Sequence, residues 1–178
     1  MYPEFSFPFS VFVFTGGVGL DDGMSQAERL EKVAVALSAM LHQLEATRQA
    51  SSQSIEGEWS VNQILGHMAE MIPYWMQHCD RIIVAQEALY RFGRSHAAEE
   101  RLAGVERGAQ GELAELLLLV EGEIQSAAKT IRGMSPAERS RQGLHIRDGA
   151  LSVAQVIERF IVVHAEEHLT QIEMAVLG

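Results

Sequence analysis

Two histidines four residues apart, His164 and His168, lie near the end of the chain in Val163-His164-Ala165-Glu166-Glu167-His168-Leu169-Thr170-Gln171-Ile172. On a helix this spacing puts both imidazoles on one face, one turn apart. The residues before them are apolar at helical spacing (Val153, Val156, Ile157, Phe160, Ile161), and the stripe resumes at Ile172 and Ala175. The pair therefore continues the inward face of an amphipathic helix. Two imidazoles aimed at a core are either hydrogen-bonded core residues or ligands of one metal ion, because neutral imidazole is the commonest protein ligand for zinc and its neighbours. A third candidate, His67, stands in Trp59-Ser60-Val61-Asn62-Gln63-Ile64-Leu65-Gly66-His67-Met68-Ala69-Glu70, on the flank of the stripe Val61, Ile64, Leu65, Met68 and Met71. Three inward histidines from two helices suit a site with at least one position left open, the catalytic type rather than the closed structural type.

Competing chemistries find less support. His164-Ala165-Glu166-Glu167-His168 spells H-x-x-E-H, the inverted zinc-protease pattern. That pattern takes a third ligand from a later helix, yet beyond His168 there is no further histidine and Glu173 is the only carboxylate. There is no G-x-S-x-G, no phosphate-cradling loop and no dinucleotide fingerprint. Cys79 has no sequence reason to be activated and reads as a small core residue.

The elements that must carry these residues are helices. The chain of 178 residues is one domain's worth, with an ordinary apolar fraction of 47%. Its formal net charge of -10 argues against nucleic acid and against anionic membrane surfaces as partners. No apolar run reaches the roughly 20 residues of a membrane helix. A single cysteine excludes an intrachain disulfide and makes a reducing, cytoplasmic setting the expectation.

Residues 1–24 stand apart as an extended N-terminal arm or a leader. Five of the seven phenylalanines fall there, partly in alternation, and no Lys or Arg precedes Arg29, so the basic start of a secretory signal is missing. Residues 25–178 read as an all-α four-helix bundle. Ser25-Gln26-Ala27-Glu28 reads as a capping box opening a helix of about 25 residues, with His42 off its apolar stripe. Ser60 with Gln63 caps a second helix running to about Tyr90, on which Tyr74 and His78 fall near the face of His67. Residues 91–101 show no periodicity and read as a long connection. The third helix is expected from Glu112 to Arg132, its apparent earlier turns being weakened by Gly104, Gly108 and Gly111. Ser135-Pro136-Ala137-Glu138 caps a short helix, and Ser152 with Gln155 caps the last. His145 is expected to be exposed in the loop between these two. No strand pattern is visible after residue 24.

Trp59-Ser60 leading to His67-Met68-Ala69-Glu70, then His164-x-x-x-His168-x-x-Gln171-Ile172, resembles the DinB-like (damage-inducible, YfiT-like) superfamily over roughly residues 25–177. The resemblance implies a four-helix bundle, often a homodimer, with a divalent metal on His67, His164 and His168. Imidazole ligands suit zinc, nickel, iron and copper, with zinc or nickel the expected ion. It implies a small-molecule substrate and a role in stress response. Relatives include thiol-dependent S-transferases and isomerases that use a low-molecular-weight thiol, and proteins described as metal-dependent hydrolases. Glu70 is the candidate catalytic residue, one turn beyond His67, placed to orient a ligand or shuttle a proton. Trp59, Tyr74 and Gln171 are the candidates for the pocket and for support of the ligands. This chain has Glu70 where the family often has Asp, and Leu169-Thr170 where a basic-small pair is more usual. A cationic groove for a thiol would draw on Arg141 and Arg147. The other functional class is a non-catalytic metal-binding or interaction bundle acting as a dimer.

Overall fold

The computed structural model describes residues 23–46, 59–85 and 89–177, with side chains described at 23–40, 59–85 and 89–175. Most of the expected arm and the side chain of His42 lie outside these residues. In chain order the elements are α1 (Gly23–Ala46), α2 (Val61–Val84), β1 (Arg91–Phe92), α3 (Glu99–Gln110), α4 (Leu113–Gly133), α5 (Pro136–Ser140), β2 (Gln142–His145), β3 (Gly149–Ser152) and α6 (Val153–Ile157). A π-helical turn (Glu158–Val162) then leads into α7 (Val163–Leu177). The four long rods of the bundle are α1, α2, α4 and the continuous run from α6 through α7.

Each rod buries the stripe its sequence displays. On α2 the core residues include Leu65, Met68, Ile72, Cys79 and Ile82, and on α4 they include Leu116, Val120, Ile124 and Ile131. A fully buried side chain of this kind contributes roughly 1.5–3 kcal/mol, enough for packing to override weak local propensity. The Cys79 thiol is pushed up to about 12 by burial, so it is an inert core group. Three of the four expected capping boxes form, at Ser60/Gln63, Ser135/Glu138 and Ser152/Gln155, with side-chain and backbone bonds made in both directions. The fourth does not open its helix, because α1 already begins at Gly23 and Ser25 falls inside the first turn.

Four departures from the sequence expectation have physical causes. The second helix stops at Val84 rather than near Tyr90, and the chain passes into β1. Residues 99–110 form a helix of their own, packed on α2. The glycines that weaken it are there for contact: a Cβ on Gly66 would meet the Gly104 carbonyl oxygen at 2.4 Å and the Gly108 Cα at 2.5 Å. Backbone touches backbone here, which larger residues on either helix would prevent.

A small sheet is the third departure. β1 pairs parallel with β2, and β2 pairs antiparallel with β3, with His145 opposite Gly149. The hairpin closes through Ile146-Arg147-Asp148 with Gly149 at φ 78°, the glycine that a three-residue loop calls for. His145 is consequently buried at 3% exposure rather than exposed in a loop, and it packs among Trp75, Phe92 and Phe160. His78 is buried too, with Nδ1 3.2 Å from the Tyr90 hydroxyl.

The fourth departure is the π turn in the last rod. It lets burial run from Ile157 to both Ile161 and Val162, then on to Ala165, His168 and Ile172. One strictly α-helical stripe would have carried Phe160 and His164 inward together; both are instead partly buried. π turns of this sort recur beside functional sites because they re-aim the residues that follow.

Candidate metal centre

His67 comes from the middle of α2, where the Ser60 cap sets the phase of the helix and Met68 and Leu65 anchor it in the core. His164 and His168 come from α7, just past the π turn. Across the gap the His67 ring lies 5.5 Å from that of His164 and 5.1 Å from that of His168, centroid to centroid. One nitrogen from each of the three falls within 4.8 Å of the others. Among the described residues no fourth His, Cys, Asp or Glu joins them.

The rotational setting of α7 is held from outside by α1. Arg29 donates from Nε and Nη2 to the Glu166 carboxylate at 2.9 and 2.6 Å, and from Nη1 to Glu158 at 2.7 Å. Gln26 Nε2 adds bonds to Glu158 Oε2 at 2.8 Å and the Ala154 carbonyl at 3.2 Å, and Arg139 donates to Gln26 Oε1 at 2.7 Å. One clamp therefore spans the π turn and turns Glu166 away from the histidines. Glu167, the acid of the H-x-x-E-H reading, is exposed.

All three imidazoles are kept neutral. Burial lowers His67 and His164 well below the ordinary imidazole value, and their neighbours' charge lowers them further. His168 falls to about 4, again chiefly through burial. Neutral imidazole is the state that ligates. Both nitrogens of His67 and Nε2 of His168 are buried with no hydrogen-bond partner among the described residues. Buried polar atoms are nearly always satisfied, so unpartnered nitrogens on both rings, one from each within reach of the other, fit a site for a cation. The donor set fits as well, since three imidazoles suit a transition metal and leave a position open.

The remaining sequence candidates divide. Gln171 meets His168, with Oε1 2.8 Å from Nδ1. Trp59 sits against the cluster, its ring 5.1 Å from His67 and 6.4 Å from His168 in a near-parallel stack. Glu70 places Oε2 3.9 Å from His67 Nδ1, but its carboxylate is held by Arg94 at 2.5 and 2.7 Å, so it is a paired acid rather than a free one. Tyr74 does not face the histidine cluster directly. It packs on Trp75 and His78, with the Arg94 guanidinium 3.9 Å above its ring.

Two residues absent from the sequence reading complete the surroundings. Arg94 and Arg101 both act on the charge balance of His67 and His164, and Arg101 on His168. The arginines named from sequence are elsewhere: Arg141 donates to the Ala85 carbonyl and Arg147 is exposed in the hairpin loop. Arg94 lies in a stretch without periodicity, and Arg101 opens a helix that only the glycine packing explains. No local pattern marks either.

A helical bundle that gathers three neutral imidazoles from two rods defines the fold and a candidate metal centre. This chain belongs to the DinB superfamily, whose family model matches residues 29–172. Among solved structures it is similar to YfiT from Bacillus subtilis, described as a probable metal-dependent hydrolase with an unusual four-helix bundle topology. The TM-score is 0.66 over 86% of this chain and 85% of that one, at 15% identity, a likeness of fold. No curated protein shows a significant match. Among the described residues no helix is long and apolar enough to cross a membrane.

Proposed function

We propose that this chain is a divalent-metal-dependent enzyme in which His67, His164 and His168 hold the ion, and in which a water or a small thiol attacks a small electrophilic substrate at the open position. The observation that carries this reading is the set of unsatisfied nitrogens on His67 and His168, buried in a cluster whose ligand atoms lie within 4.8 Å of one another. When bound, a divalent ion such as zinc or nickel supplies a Lewis acid that brings the pKa of water or thiol towards neutrality.

The chain's own residues supply the rest. Burial keeps the three imidazoles uncharged, each with one nitrogen lone pair to offer. Gln171 accepts the Nδ1 proton of His168 and so directs Nε2 into the gap. Glu70, itself steadied by Arg94, is the acid nearest His67 Nδ1 at 3.9 Å and sets the electrostatic environment on that side of the ring. Trp59 shields the cluster on one side. Membership of the DinB superfamily and the description of YfiT support the hydrolytic form; a thiol in place of water gives S-transfer to the same class of electrophile.

The test is elemental analysis of the wild type beside His164→Ala, followed by assays of ester hydrolysis and of thiol conjugation. About one equivalent of a transition metal, lost in the variant, is expected. A wild type that takes up no metal even from added zinc or nickel overturns the reading.

A further inference from the structure

Among the described residues, Arg101 stands beside the site with no carboxylate paired to it. Its guanidinium carbon lies 4.6 Å from the centre of the Trp59 ring, a cation–π stack on the same indole that covers His67 and His168. Of its five N–H donors, one goes to the His96 carbonyl at 2.9 Å, and no carboxylate pairs with it among the described residues. Arg94, the neighbouring cation, is neutralised by its two bonds to Glu70. The chain as a whole carries a formal charge of -10. Such a half-buried guanidinium, over the aromatic wall of the candidate centre and paired directly with no carboxylate among the described residues, can take an anion from outside the protein.

We infer that Arg101, seated over the Trp59 ring, is the subsite for a carboxylate carried by the small molecule that enters the three-histidine centre. This rests on the functional reading above and adds the charge of the ligand to it. A planar guanidinium presents paired N–H donors at the spacing of a carboxylate, and such charge-assisted pairs are the stronger kind of hydrogen bond. A single guanidinium with Glu99 and Glu100 on the same turn favours a singly charged carboxylate over phosphate, which needs several donors. Among the described residues, only one of the guanidinium's five N–H donors is committed, to the His96 carbonyl, which leaves others for the ligand.

The carboxylate belongs either to a thiol nucleophile or to the electrophilic substrate, and matched probes separate the two. Cobalt(II)-loaded wild type, Arg101→Gln and Arg101→Lys are titrated with 3-mercaptopropionate against 3-mercaptopropionamide, and with succinate against succinamide. The readout is the visible cobalt spectrum. In the wild type the charged member of one pair is expected to bind about tenfold more tightly than its amide, the scale of one charge-assisted contact. That preference disappears in Arg101→Gln and survives in part in Arg101→Lys, and the pair that shows it identifies the source. Circular dichroism and an unchanged cobalt band confirm that both variants fold. Bound cobalt without a charge preference in either pair overturns this inference alone, as does a preference that persists in Arg101→Gln. A wild type that binds no cobalt overturns it together with the metal reading.

Discussion

Gln171 holds its amide oxygen 2.8 Å from Nδ1 of His168, three residues back along α7. An amide oxygen only accepts, so Nδ1 must carry the proton, and the lone pair of the neutral ring is left on Nε2, the buried atom without a partner. The contact is thus a choice of tautomer as much as a hydrogen bond. Replacing Gln171 with Leu removes that choice while leaving the helix intact. Metal affinity, measured by competition with a chromophoric chelator, is expected to fall roughly 10–100-fold, as for other residues that orient a ligand. Gln171→Glu, which still accepts from Nδ1, should retain most of it.

Glu70 and Arg94 should behave as a unit. Their side chains are 8% and 9% exposed, and the pair is bidentate. Removing one partner of such a pair strands a buried charge at a cost of roughly 3–5 kcal/mol, whereas removing both is far milder. Glu70→Gln and Arg94→Gln are each expected to lower the urea midpoint sharply, and the double variant to recover much of the loss. Simple additivity of the two single effects would show that the pair is not the buried unit described here.

The legibility of this molecule in its sequence follows the range of the forces involved. Capping at Ser60, Ser135 and Ser152 is a matter of three neighbouring residues, and it could be read directly. The same holds for the apolar stripes and for the facing of His164 and His168, which depend on one helix each. The small sheet was missed because β1 has only two residues and finds β2 some 50 positions away, although Asp148-Gly149 is a hairpin signal that was there to be used. The glycines of α3 read locally as a cost, whereas their close approach to Gly66 is a contact between distant segments. The π turn leaves no periodic trace longer than five residues. Arg94 and Arg101 reach the centre only through tertiary placement, so composition, which reads acidic overall, pointed away from them.

Glycine substitutions should separate contact from propensity. Gly66→Ala puts a methyl group 2.4 to 2.6 Å from the backbone of Gly104 and Gly108, where no side chain can move aside. The helices must part, and a destabilisation of about 3 kcal/mol or more is expected. Gly122 lies in the interior of α4, and a Cβ there meets nothing within 4 Å. Gly122→Ala should therefore stabilise the fold by about 0.5–1 kcal/mol. Thermal melts of the two variants, run beside the wild type, check both signs.

Acid should unfold the metal-free protein through its neutral histidines. His168 takes up its second proton only at about 4 in the folded chain, whereas the unfolded imidazole becomes charged near 6.5. The unfolded state therefore holds more protons between those values, and stability rises with pH across that window. The contribution is complete above about pH 6.5 and is lost progressively as pH falls towards 4, amounting to about 3 kcal/mol at roughly 1.4 kcal/mol per unit. His67 and His164 are shifted in the same direction and steepen the loss. Urea midpoints in the presence of a chelator are expected to drop between pH 7 and pH 5, and to drop less in His168→Gln, which has no proton to take up. A profile flat across this range would mean that the imidazoles are hydrated and already titrating at their ordinary value.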